Sequence, residues 1–409
     1  MRLALALTVL VSTALAAQQG AEDVPQWRGR LRDGGASAFV EPAAWPDRLT
    51  RRWRVEVGEG YSSPLIVGPT VFVFSRQDGR EILRALDAAT GAERWQAGYE
   101  APYTPSPPTV AHGSGPKATP LAHEGKVFTL GVSGILAAFD GQTGTLLWRT
   151  EAPAEPPYFS AASSPLGVPG LVIVHPGNYD ALTAFDVSSG AVKWKTGAGG
   201  AFMSPTLATL QGVPQVVSVT QAGVMSVSPS SGGMLWEYAW PGGKQGGIMP
   251  TVHGDQVVVS ASGSGVMALR PALRSGAWTV EKIWETSDVV MYLSHPVVVG
   301  ETMYGFSTKA RGQLFALDLR DGHIRWLGPA NQATNIAVTK AGNFLLLLED
   351  DGELVVAWAN NNAFDPVKQY AVGEGATWAQ PIVSGRRILI RDANTLTMWT
   401  LNEPGSREP

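Results

Sequence analysis

The sequence has 409 residues, 44% of them apolar and 16% charged, with 47 Gly, 29 Pro, 14 Trp and no Cys. That apolar content excludes disordered and fibrous classes, and the length alone suggests two or three domains of about 150 residues. The balance of 31 basic against 35 acidic residues gives a net charge of −4 without blocks of like charge, so neither a nucleic-acid nor an anionic-membrane footprint is expected. The absence of Cys excludes disulfide frameworks, Cys-ligated metal, cysteine nucleophiles and Cys-anchored lipid.

In chain order, Arg2, the apolar run Leu3 to Val11 and Ala14-Leu15-Ala16 read as a secretory signal peptide over residues 1–16. The run is too short for a spanning helix, which needs about 20 apolar residues. An exported, soluble, periplasmic or extracellular protein is expected. Residues 17–49 read as an irregular lead-in lying across a face of the fold, residues 50–402 as its body, and 403–409 as a tail.

From residue 85 one phrase recurs. Ala85-Leu86-Asp87-Ala88-Ala89-Thr90-Gly91 leads to Trp95, Ala138 to Gly144 leads to Trp148, and Ala184 to Gly190 leads to Trp194. Looser copies end at Trp236, Trp284, Trp326 and Tyr370. The Asp carboxylate suits a turn, bonding amides two residues on, and Gly supplies the positive φ that closes the hairpin. A large ring at the same place in each repeat suits a contact shared between repeats. About 25 to 30 residues before each phrase stands a small residue and Pro opening an apolar strand, as in Ser63-Pro64, Thr119-Pro120, Ser164-Pro165 and Ser204-Pro205.

This second marker counts eight repeats, yet only seven reach a Trp or Tyr end. The eighth stops near Leu401, one strand short. The missing strand stands at the other end of the chain as Arg52 to Val57, with Trp53 lying 42 residues before Trp95 and so in phase. The expected fold is all-β: an eight-bladed β-propeller of four-stranded antiparallel blades, closed by the N-terminal strand completing the C-terminal blade.

The phrase Ala-x-Asp-x-x-Thr-Gly-x-x-x-Trp resembles the pyrroloquinoline-quinone (PQQ) repeat of the quinoprotein alcohol dehydrogenase-like propellers. Pro25-Gln26-Trp27-Arg28-Gly29, His112 to Pro120 and Thr377-Trp378-Ala379 resemble a secreted, mostly uncharacterised bacterial branch of that family. Among its relatives, quinone dehydrogenases hold PQQ and Ca²⁺ in the ring's centre, many with an adjacent Cys pair. This sequence has no Cys and no carboxylate set that matches the Ca²⁺ ligands. The lipoprotein propeller of the outer-membrane β-barrel assembly machinery needs a lipid-bearing Cys, where Ala17 and Gln18 stand here. The resemblance therefore implies the fold, with no cofactor and no lipid anchor.

The motif search finds no phosphate loop, no zinc-protease or nucleophile-elbow motif and no Ca²⁺-binding loop. The six His are not paired at ligand spacing, so no metal site is expected. Aligning the Pro markers gathers Tyr61, Lys117, Phe202, Met249, His295, Asn335, Trp378 and Gln380 near one mouth of the channel, with Tyr158, Phe159 and Tyr292 slightly upstream. Such a mouth suits a small ligand: Lys117 for an anionic group, His295 for proton exchange, Trp378 for stacking. The alternative is that these side chains simply plug the channel. The Pro-rich insert Pro102 to Pro116 is expected to fold over the same mouth. The resulting reading is a monomeric, non-catalytic binding or scaffold module that takes a protein partner or small ligand. A quinone-dependent oxidoreductase, and a carbohydrate- or peptide-binding propeller, are the alternatives.

Overall fold

The computed structural model describes residues 22–153, 157, 159–177, 181–197, 199 and 203–401. The expected signal peptide, the tail, Tyr158 and Phe202 lie outside the described residues.

Eight four-stranded antiparallel sheets form among the described residues. Blade 1 is β2 (Leu65–Val67), β3 (Thr70–Gln77), β4 (Arg80–Asp87) and β5 (Glu93–Glu100), ordered from the channel outwards. Blades 2 to 7 repeat the plan, with inner strands at Leu121–His123, Leu166–Val168, Thr206–Leu210, Thr251–His253, Val297–Val299 and Ile336–Ala341. Blade 8 combines the strands Ile382–Ser384, Arg387–Arg391 and Thr395–Thr400 with β1 (Thr50–Glu56) from the start of the chain. The pairing of β1 with Thr395–Thr400, Thr50 opposite Thr400 through Glu56 opposite Thr395, is the closure read from the in-phase Trp53. The ring spans Thr50 to Thr400 as one fold rather than the two or three domains that length suggests.

Buried apolar clusters lie between neighbouring blades, so the core is a set of inter-blade seams. The seam between blades 8 and 1 joins Trp53, Leu389, Leu396 and Met398 to Ile66, Val71 and Leu86. Its counterpart between blades 4 and 5 joins Trp236, Val217 and Val224 to Val257, Met267 and Leu269.

The repeated phrase has a geometric reason for each letter. Its Ala sits directly across from the Trp of the next strand, as in Ala85–Trp95, Ala138–Trp148 and Ala184–Trp194, and a β-bulge follows at once. The small residue leaves room for the ring. The Trp then crosses the seam. Trp53 Nε1–H donates to the Ala88 carbonyl at 3.0 Å, Trp148 to that of Val187 at 3.2 Å and Trp284 to that of Leu319 at 2.8 Å. The Asp closes the turn: Asp140 Oδ1 accepts from the amides of Gln142 and Thr143 and from the Thr143 hydroxyl.

The Ser/Thr-Pro marker is also a contact between blades. The Ser63 amide donates to the Thr119 hydroxyl at 3.1 Å, the Thr119 amide to the Ser164 hydroxyl at 3.0 Å, and the Ser164 amide to the Ser204 hydroxyl at 2.8 Å. Along blades 1 to 4 a short side-chain acceptor satisfies an N–H that the start of a strand would otherwise bury unpaired.

The lead-in departs from expectation. Instead of lying across a face, it enters the channel. Val24 pairs with Ile66 of blade 1, the Ala122 amide of blade 2 donates to the Pro25 carbonyl, Gly35 bridges to Lys340 of blade 7, and Ser37 bridges to Ser384 of blade 8. The inner edges of these short strands expose unpaired backbone groups, and a segment threaded along them satisfies that demand.

Candidate functional site

The antiparallel plan fixes two faces. One carries the Asp/Gly turns and the hairpins after the inner strands; the other carries the loops that lead into each inner strand. The lead-in enters from the turn face. The candidate residues of the sequence were aligned on the loop face.

Three elements build the loop-face mouth. Glu59 and Tyr61 follow the outer strand β1. The insert forms a short 3-10 turn, Pro107–His112, and returns through Lys117. The loop from Gly373 to Pro381 brings in Trp378. The His112 ring stands edge-on to Trp378 with centroids 4.8 Å apart, and 6.5 Å from Tyr61. Glu59 straps the insert down: one oxygen accepts from the Ser114 amide at 2.8 Å and the other from the Ser114 hydroxyl at 2.9 Å. The Pro116 carbonyl accepts from the amides of Tyr61 and Ser62. The insert thus packs at the mouth against the segments entering blades 1 and 8.

Electrostatics single out Lys117. Its Nζ is buried without a hydrogen-bond partner. Burial pulls the ammonium down to about 8, against the opposing pull of Glu59. Burial and the nearby Lys117 likewise lower His112. Beside them Arg391 is fully buried, its guanidinium donating to the carbonyls of Ser62 and Phe74, and burial brings it down to about 9.

The structure therefore brings Tyr61, Lys117 and Trp378 together and adds His112, Glu59 and Arg391. His112 opens the His112 to Pro120 motif, and its contact with Trp378 depends on the path of the insert, which spacing does not reveal. Glu59 and Arg391 carried no repeat signal at all.

The other candidates stand elsewhere. Gln380 is buried and donates to the Val338 carbonyl at 2.9 Å and the Thr339 hydroxyl at 2.5 Å, holding blade 8 to blade 7. Asn335 accepts from the Ser294 hydroxyl at 2.6 Å, joining blades 7 and 6. Met249 is buried along the channel. Tyr292 and Phe159 are exposed on the loop face, at 37% and 38%. His295 meets the lead-in: its ring lies 4.6 Å from that of Trp27, edge-on. Burial, and then the Arg28 charge, hold its imidazole well below the ordinary value, so it is neutral at pH 7 and does not exchange a proton in that range.

Among the described residues, Glu349, Asp351 and Glu353 on blade 7 could converge on a metal ion. Glu349 accepts from Gln332, and Glu353 from Gln369. The middle of the channel, where a quinone would sit, holds Trp27 with Arg28 and Arg32 of the chain's own lead-in. These residues do not fit a quinone–Ca²⁺ site.

With the blade geometry in hand, the sequence profile of the PQQ-repeat family described as "Outer membrane protein assembly factor BamB" matches over residues 79–328 and 205–405. The chain belongs to this family. No curated protein matches the sequence. Among solved structures, this PQQ-repeat chain is similar to BamB from Moraxella catarrhalis at 16% identity and a TM-score of 0.63, over 88% of this chain and 99% of that one. It is similar to quinohemoprotein alcohol dehydrogenase from Comamonas testosteroni at 14% identity and a TM-score of 0.65, over 97% and 83% of the chains. A europium-containing methanol dehydrogenase aligns at 13% identity and a TM-score of 0.55, over 95% and 100%. At these identities the likeness is one of fold. No helix among the described residues is long and apolar enough to cross a membrane.

Proposed function

We propose that this PQQ-repeat propeller is an exported, non-catalytic binding module that presents its loop face to a protein partner. The supporting observation is the division of labour between the two ends of the channel. The chain's own lead-in fills the middle, where a channel-centred cofactor would need space. The loop face displays exposed apolar side chains, Val110 at 63%, Leu293 at 43%, Phe159 and Tyr292, around the strapped insert, while Leu31 and Leu207 are exposed at the turn end. Exposed apolar side chains grouped on one face mark interaction surfaces. The similarity to an assembly factor agrees with this reading, as does the signal-like first segment. The quinone-dependent oxidoreductase is the second reading; Lys117, Tyr61 and Trp378 would be its residues.

One experiment separates the two. A photo-crosslinker placed at Val110 or Leu293 in the producing cells should give the same discrete adduct, absent when it is placed at Leu207 on the turn face. A dye-linked dehydrogenase assay with added PQQ and Ca²⁺ should show no turnover. Saturable quinone-dependent dye reduction, lost in Lys117→Ala and Trp378→Ala, would overturn the proposal.

A further inference from the structure

The lead-in does not fill the turn end of the channel. A cavity of about 450 Å³ remains beside the inner strands of blades 4 and 5. Its walls include Thr206 to Thr209, Met249 to His253, Glu301 and Lys340, and its other side is the lead-in itself through Arg28, Leu31, Arg32 and Asp33.

The two arginines are unusual. Each is 3% exposed. Arg28 reaches across to the carbonyls of His295 and Pro296, and Arg32 to those of Pro165 at 2.8 Å and Ser164 at 3.2 Å. Both guanidiniums lie over the Trp27 ring, at 6.0 and 5.7 Å. Each keeps a buried Nε–H without a partner. Burial lowers Arg28 to about 10 and Arg32 to about 9, and the Arg28 charge adds to the effect on Arg32.

The cavity's acids are already engaged. Asp33 pairs with Lys340 at 2.8 Å and accepts from the Gly35 amide, while Glu301 accepts from His253. Two buried cations therefore share one hollow: Asp33, already bonded to Lys340, offsets part of the Arg28 charge, while the charge acting on Arg32 is that of Arg28. Carbonyl dipoles offset part of the desolvation cost, but a buried charge that is only partly neutralised still carries a penalty. An oxyanion in the hollow would offset that charge, and charge-assisted bonds to a guanidinium are the strong ones.

We propose that this cavity is a binding site for a small organic oxyanion, a carboxylate or a phosphate ester, held by Arg28 and Arg32. The site is separate from the loop-face surface. Ligand there would lock the lead-in into the channel and so stabilise the ring.

The test uses the full chain with succinate and inorganic phosphate as probes, read by calorimetric titration and by the unfolding temperature. Saturable binding is expected, with an unfolding temperature that climbs with ligand concentration and falls back with added salt. A response to one probe alone assigns the head group. Arg32→Gln should abolish binding, and it also removes bonds to blade 3. Leu207→Glu serves as the second variant, because Leu207 is 45% exposed, lines the cavity and makes none of the guanidinium bonds. It should weaken binding at least tenfold, and because it sets a carboxylate beside the arginines it should hold or raise the ligand-free unfolding temperature, so weakened binding cannot be ascribed to unfolding. No saturable signal from either probe, a rise matched by chloride at equal ionic strength, or equal binding by Leu207→Glu would overturn the proposal.

Discussion

Gly144 of blade 2 lies flat against the ring of Trp95 from blade 1: a Cβ built on it would come within 2.5 Å of the ring. The same contact joins Gly91 to Trp53, Gly190 to Trp148, Gly232 to Trp194 and Gly322 to Trp284. The hairpin Gly therefore has two duties, a positive φ and a space for its neighbour's ring.

These duties separate in a pair of variants. Gly254 has φ +58 and nothing within 4 Å of a Cβ, whereas Gly144 has φ +74 and the Trp95 ring. Gly254→Ala should cost about 1 kcal/mol, the conformational term alone. Gly144→Ala adds overpacking of about 1 to 3 kcal/mol. Urea unfolding of both variants checks the difference; equal losses would mean that the ring contact contributes nothing.

Closure gives a second expectation. Trp53 belongs to the first strand of the chain, packs on Gly91 and bonds Ala88, so one side chain ties the chain's start to blades 8 and 1. Trp53→Ala should cost about 3 to 5 kcal/mol. Because the ring has no free end, the loss should appear in hydrogen exchange at blade 4 as well as at blade 8. A loss confined to blade 8 would show that the blades unfold independently.

What the sequence made legible follows from period. Asp, Gly and Trp recur because each blade solves the same turn and the same seam, so blade number, strand count and closure could be counted. The channel's contents could not. Trp27, Arg28 and Arg32 occur once, and their burial depends on a chain path that no repeat encodes. Gln380 and Asn335 broke the Ser/Thr-Pro pattern and so looked like ligand contacts. Structurally they also link neighbouring blades, through their amide side chains. His295 broke it because Trp27 packs there.

The strap over the mouth is testable through Glu59. Its two bonds to Ser114 are charge-assisted, a class that contributes about 1.5 to 3 kcal/mol each. Glu59→Ala should release the insert, seen as faster cleavage by a broad-specificity protease between residues 102 and 116, with the unfolding midpoint of the ring nearly unchanged. Unaltered cleavage would mean that the His112–Trp378 contact holds the insert by itself.

Lys117 allows the sign of a pH effect to be worked out. In the folded chain its ammonium titrates near 8, below its ordinary 10.5, because burial disfavours the charged form. Folding therefore opposes the charge. The cost is full below pH 8 and fades as pH rises towards 10.5, where the unfolded chain also loses the proton. Lys117→Met replaces the unpartnered cation with an apolar side chain of similar length, so it should stabilise the protein by about 1 to 3 kcal/mol at pH 7. That gain should shrink at pH 9 and disappear near pH 10.5, as urea unfolding of both proteins at the three pH values would show. A gain that stays constant across the range would assign it to packing instead. If the loop face takes the protein partner proposed above, the same variant should weaken its capture.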